Sequence, residues 1–309
     1  MASEALRTRF IASADGKRLR VGEWEPAPGA AARRFCAIFD GQTEFIEKYQ
    51  EVAGELAGRG FAGAILDWRG QGGSQRLVAD PLKAHIADFS EYDADFTAFM
   101  TQVVSAVTTA PPIALAHSMG GHILLRALHR SPHAFSAAVM TAPMLRTATR
   151  GHSRWLVRAM ASAHTRAGLG KAWVWGMQER DPLHIPFDDN LVTSDRERFA
   201  RNRALVAETP EIRLAGPTWR WLEAAYRSMA QMEAPGFADA ITTPCLVFGA
   251  GRDRIVETEA IRDFARRLPH GRYVEIPEAE HEIMMETDSI RARFWRAFDD
   301  FVAMYKPRS

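Results

Sequence analysis

The sequence predicts an α/β fold, a mostly parallel sheet covered by helices on both faces, with one helical insertion. Three observations carry this. Short apolar runs alternate with stretches whose apolar residues recur at helical spacing, both before residue 145 and again after residue 240. Runs such as FCAIF (35–39) and FAGAIL (61–66) are apolar throughout, as expected for strands buried on both faces. Between residues 146 and 235 the rhythm stops, which marks that stretch as inserted.

Taken in order, TRFIASADGKRLRVGEW holds two alternating stretches joined through Asp15 and Gly16, a two-residue hairpin signal. FCAIF is the next strand. After it Phe45, Ile46, Tyr49, Val52, Ala53 and Leu56 fall at helical steps, and FAGAIL follows Gly60 as a strand. A helix is expected over 87–107, a strand in PPIALAH, a helix after Met119 and a strand over 134–140. Beyond the insertion come a strand in TPCLVFGA, a helix over 260–268 and a strand in RYVEI. The closing helix lines up Ile290, Phe294, Phe298, Phe301, Val302 and Tyr305 in one stripe. The expected organisation is a core of residues 1–145 and 236–309 and a cap of 146–235.

Composition narrows the function. With 309 residues, 47% hydrophobic and 25% charged, the chain can bury a substantial core. Its 39 basic against 38 acidic residues give a net charge of +1, too little to gather a polyanion, so no nucleic-acid partner is expected. No apolar run approaches the roughly 20 residues of a membrane span, and MASEALRTRF lacks the apolar stretch of a secretory signal, which predicts a cytoplasmic protein. Cys36 and Cys245 each sit inside an apolar run and read as core thiols. Neither has a second Cys or a His at ligand spacing, so neither metal nor cofactor is expected.

The segment IALAHSMGGHILL carries the chemistry. An apolar strand runs into AHSMG (116–120) and straight into a helix, the context of a nucleophile elbow, in which small residues at Ala116 and Gly120 let strand and helix close around Ser118. The plainer alternative is a Ser that only caps the helix. A serine hydroxyl needs a base, and the base needs a third group to hold it. Asp253 in FGAGRDRIV and His281 in EIPEAEHEIMM each follow a strand, in the chain order nucleophile, acid, base, and so belong on the carboxyl edge of the sheet. His270 precedes its strand and belongs on the opposite edge. His117 and His122 read as packing or hydrogen-bonding residues. An oxyanion would take backbone N–H groups from Met119 and, after the third main strand, from Gln42 in DGQTEF. Asp40 just before that loop must be turned away, paired with a cation such as Arg69, or protonated.

With these parts assembled, the chain resembles the serine α/β-hydrolases over nearly its whole length, and more narrowly the bacterial lysophospholipases and monoacylglycerol lipases. The segments behind this are GQTEFIEKY, LDWRGQGGSQR, HIADFSEYDADF and AHSMGGHILLRAL, with DNLVTSDRERFARN and AGPTWRWLEAA in the insertion. Ala116 in place of the first elbow Gly, and Asp40 in place of the more common His, are departures. The resemblance implies an ester hydrolase for a small lipid ester, a lysophospholipid or monoacylglycerol. A carboxylesterase or acyltransferase for small non-lipid esters, and an inert binding protein of this fold, are the alternatives.

The insertion holds five of the eight Trp: Trp155, Trp173, Trp175, Trp219 and Trp221. They read either as the wall of an acyl pocket or as the cap's own core. Six basic and no acidic residues lie between 146 and 171, with Arg146, Arg150, Arg154 and Arg158 at four-residue steps. That stripe reads as a peripheral contact with anionic headgroups or as a solvated face.

Overall fold

The computed structural model describes residues 6–27, 34–149 and 151–305. One sheet contains β1 (Arg7–Ala12), β2 (Arg18–Trp24), β3 (Arg34–Phe39), β4 (Phe61–Leu66), β5 (Ile113–His117), β6 (Ala137–Thr141), β7 (Cys245–Ala250) and β8 (Gly271–Ile276). Their order across the sheet is β1-β2-β4-β3-β5-β6-β7-β8. β2 runs antiparallel to both β1 and β4, and every later neighbour is parallel.

Parallel neighbours need crossovers, and helices supply them on both faces. Alternation along β3 sorts the core: Phe35, Ala37 and Phe39 pack with Phe96, Phe99 and Ile123 of the helices Ser90–Phe99 and Met119–Arg130. Cys36 and Ile38 pack on the other face with Val52 and Leu56 of Gln50–Gly58 and with Phe294 and Phe298 of Asp288–Ala303. Each large apolar side chain buried in this way contributes about 1.5–3 kcal/mol.

Two local details differ from the sequence expectation. The hairpin loop is wider than two residues: β1 ends at Ala12 and β2 begins at Arg18, with Ser13 N–H donating to Lys17 C=O. The reason is Arg69, a buried guanidinium that donates to Ser13, Asp15 and Asp95 and so ties the loop to the helix Ser90–Phe99. That helix reaches Val107 as expected, but it does so through a π-helical turn, Met100–Val104, which periodicity alone does not reveal.

Between β6 and β7 the chain forms the helices Arg154–His164, Arg196–Glu208 and Trp219–Met232. The last buries Trp221, Ala225 and Met229 in the main core. A two-residue ribbon pairs Lys83–Ala84 with Gly216–Pro217 and ties the insertion to the loop before Ser90. By contrast, Arg154–His164 buries only Ala161. Among the described residues no helix is long and apolar enough to cross a membrane. Because β3, β5, β7 and β8 all run the same way, the loops after them meet on one edge.

Candidate active site

Ser118 lies between β5 and the helix Met119–Arg130 with φ 49° and ψ −114°, a conformation that costs a non-glycine residue about 1–3 kcal/mol. The turn is held by Ser118 N–H donating to Thr141 C=O at 3.0 Å, and by Ser118 C=O accepting from the amides of His122 and Met144. A Cβ at Gly120 would lie 2.2 Å from the carbonyl oxygen of Phe39 and 2.4 Å from that of Asp40, so only glycine fits there. Ala116 is fully buried without conflict.

His281 links the parts. Its Nε2 is 2.9 Å from Ser118 Oγ, and its Nδ1 is 2.7 Å from Asp253 Oδ2. The other Asp253 oxygen accepts from the amides of Ile255 (2.8 Å) and Val256 (2.9 Å). With Asp253 ionised, Nδ1 carries the proton and Nε2 is free to accept one from Ser118. Burial by itself favours the neutral form of each partner, but their mutual attraction prevails. Asp253 is shifted below the usual carboxylate range and His281 above the usual imidazole range.

The other histidines take no part in this series. His117 hydrogen-bonds Thr141, and burial brings its pKa down to about 4; its ring lies 4.7 Å from that of His281. His122 sits between Met144 C=O and Ser228 Oγ, and burial lowers its pKa to about 3. His270 precedes β8, where its carbonyl accepts from Cys245 N–H on the opposite edge.

Gln42 and Ser118 line the same cavity of about 630 Å³, and Met119 opens the helix beside them. Among the described residues Gln42 Nε2 is buried without a hydrogen-bond partner. The cavity wall is mostly apolar, with Phe45, Val206, Ile212 and Leu214 prominent in it. A second depression, about 660 Å³, is lined by charged residues such as Glu51, Arg198 and Arg291 and does not include Ser118.

Of the five cap tryptophans, Trp175 and Trp221 line the cavity. Trp155, Trp173 and Trp219 do not. Trp219 is buried and stacks on His164 with ring centroids 4.1 Å apart, Trp173 receives Lys83 Nζ over its ring, and Trp155 is 72% exposed. The basic stripe is partly neutralised, since Arg146 and Arg154 both pair with Glu233; Arg150 lies outside the described residues.

Sequence reasoning missed the buried charges around this site. Lys48 sits between Glu44 and Glu282, residues far apart in the chain, and the Glu44–Lys48 spacing of four on a helical stretch was the only local signal. Asp40 is also fully buried. Its Oδ1 receives only a 3.5 Å contact from Gln71 Nε2, and its Oδ2 has no partner among the described residues. Arg69, the suggested cation, is committed to Asp95, Asp15 and Glu91. Burial first, then the carboxylates of Asp67 and Glu44, push the Asp40 pKa well above the usual carboxylate range, which favours its neutral form.

This gives a pH-dependent expectation. The folded-state pKa of Asp40 exceeds its unfolded value of about 3.9. The stability linked to it is therefore fully present below that pH and is lost as pH rises toward the folded value. Asp40→Asn keeps the shape and does not titrate. Denaturant unfolding should find it more stable than wild type at pH 8, with the difference vanishing near pH 4. A less stable variant at pH 8 would mean an ionised, partnered Asp40.

The family described as serine aminopeptidase, S33, matches residues 30–288. Lysophospholipase L2 of Escherichia coli K12 is 35% identical over 278 residues, covering 87% of this chain and 80% of its own. In fold, the chain is similar to a soluble variant of monoglyceride lipase from Saccharomyces cerevisiae, solved with a substrate analog (TM-score 0.79, 16% identity, 100% of this chain and 97% of that one). It is also similar to a carboxyl esterase from Bacillus coagulans (TM-score 0.77, 16% identity, 97% and 99%). The chain thus belongs to the S33 family of α/β-hydrolase-fold serine hydrolases and is related to the bacterial lysophospholipases and monoacylglycerol lipases.

Proposed function

We propose that this protein hydrolyses carboxylic esters of single-chain lipids, lysophospholipid or monoacylglycerol, through an acyl-enzyme on Ser118. The observation that carries the reading is the unbroken series Asp253, His281, Ser118 opening onto an apolar-walled cavity. His281 Nε2 takes the Ser118 proton as Oγ adds to the ester carbonyl. The carbonyl oxygen becomes an oxyanion facing the amides of Gln42 and Met119. His281 then returns the proton to the leaving alcohol as the C–O bond breaks. Water, activated in the same way, releases the acid and restores Ser118.

The alkyl chain lies along the cavity wall, beside Trp175 and Trp221, and the unpartnered Gln42 Nε2 is a donor for a polar group near the ester. The kinship with Lysophospholipase L2 supports the lipid reading over a small-ester one. Exposed Trp155 and Leu156 offer an apolar contact with the lipid surface from which such a substrate is drawn.

Burying each further CH₂ of substrate is worth up to about 0.8 kcal/mol. Across a panel of lysophospholipids, monoacylglycerols and p-nitrophenyl esters, kcat/KM should therefore climb steeply from butanoate to dodecanoate. The rise should be larger for substrate presented in anionic vesicles than for monomers. A preference for acetate or butanoate would replace this reading with a small-ester carboxylesterase or acyltransferase.

A further inference from the structure

Between the loop that carries Gln42 and the loop that carries His281 lies a buried ionic cluster that the proton transfer does not use. Lys48, its side chain 7% exposed, places Nζ 2.6 Å from Glu44 Oε1 and 2.6 Å from Glu282 Oε1. The second Glu44 oxygen accepts from Gly41 N–H (2.5 Å) and from Tyr49 O–H (2.7 Å). Glu44, His117 and Glu282 bring ligand atoms within 4.8 Å of one another, and the Lys48 ammonium lies on both carboxylates.

Burying three charges costs several kcal/mol per ion before pairing, and apolar residues of similar size are often no less stable. Stability is therefore a poor reason for this cluster, and its position suggests a better one. Gly41 is gripped at both ends: its N–H by Glu44, its C=O by Gln71 Nε2 at 2.7 Å. The next amide is that of Gln42. Thr43 follows in the left-handed region with φ 66°, a strained conformation that needs such anchoring. At the far end of the cluster, Glu282 is the chain neighbour of His281.

We propose that Glu44 is the positioning residue of the oxyanion loop, and that Lys48 couples this loop to the His281 segment through Glu282. By drawing the Gly41 amide inward, Glu44 leaves the Gln42 amide as the one presented to the reacting carbonyl. The Lys48 bridge keeps donor and base at a fixed spacing while the carbonyl carbon changes geometry. The inference rests on reading Ser118 as nucleophile and Gln42 as donor.

The test compares Glu44→Ala, Glu44→Gln and Lys48→Met with wild type in ester kinetics, melting temperature, fluorophosphonate labelling of Ser118, and inhibition by an alkyl trifluoromethyl ketone. The ketone adds Ser118 and forms a stable oxyanion. A displacement of about 1 Å in a catalytic group costs on the order of 10²-fold. Glu44→Ala, in which Lys48 keeps Glu282, should lose about that factor in kcat at a KM within about threefold of wild type, and ketone affinity should fall in parallel. Glu44→Gln, which still offers an oxygen to Gly41 N–H, should recover most of the loss.

A kcat for Glu44→Ala within about threefold of wild type would overturn the proposal, as would equal losses in the Ala and Gln variants. If Glu44→Ala does not fold, Lys48→Met decides: about a tenfold fall in kcat at constant KM supports the coupling, and an unchanged kcat overturns it. Failure of the phosphonate to label wild-type Ser118 would remove the nucleophile reading and this proposal together. Normal labelling with an unaffected Glu44→Ala would remove only the proposal.

Discussion

Ser118→Ala should lower kcat for ester hydrolysis by about 10⁶-fold with an unchanged melting profile. In the proposed mechanism the hydroxyl, within reach of His281 Nε2, is the nucleophile, and its loss removes the covalent route while leaving the cavity and the amides of Gln42 and Met119 in place. A residual rate above that of water survives on binding and oxyanion stabilisation alone. His281→Ala should cost about as much, because an unactivated serine is little better than none. The double variant should be no worse than either single one. Assays on a p-nitrophenyl ester, with circular dichroism to check folding, decide the matter. Near-wild-type turnover in Ser118→Ala would remove the assignment, and additive losses would argue against a shared unit.

Asp253→Asn should lower kcat by about 10⁴-fold. The two halves of this carboxylate have different duties: Oδ1 is held by the amides of Ile255 and Val256, and Oδ2 faces His281 Nδ1. In the asparagine variant the amides retain the carbonyl oxygen, which turns the NH₂ group toward Nδ1. The ring must then accept at Nδ1 and carry its proton on Nε2, the tautomer that cannot take a proton from Ser118. The charge is lost as well. Asp253 is what holds the His281 pKa up against burial, so the acidic limb of kcat/KM should move to lower pH in the variant. A loss of less than about tenfold, or an acidic limb that stays in place, would show that Asp253 does not set the state of His281.

The parts of this site that the sequence made legible are those in which a strand end fixes the position. Ser118, Asp253 and His281 each follow an apolar run closely, and a parallel sheet sends all such ends to one edge, so chain order and spacing were sufficient. The strand and helix succession was legible for the same reason, since each element writes its burial into its own periodicity. What escaped depends on contacts between distant segments. The Glu44–Lys48–Glu282 cluster joins residues more than two hundred positions apart, and nothing in EFIEKY announces that Glu282 will meet it. The widened hairpin loop follows from Arg69 reaching Asp15 across 54 positions. The fate of the cap tryptophans was likewise unreadable, because contacts with other segments decide whether a ring enters the cavity, stacks on His164 or stays in water.

The absence of a side chain at Gly120 has a consequence for how this scaffold can change. Its backbone lies against the carbonyls of Phe39 and Asp40, so the turn at Ser118 and the loop after β3 share one tight contact. Successive substitutions that retune such a protein have little room there. The insertion is attached by a two-residue ribbon, by one helix buried in the core and by hydrogen bonds of Val192, Thr193 and Ser194 to the segment after His281; away from that segment it can exchange side chains around the cavity without disturbing the reacting atoms. Inherited variation should thus divide along the same line, with the chemistry held constant and the choice of ester free to drift.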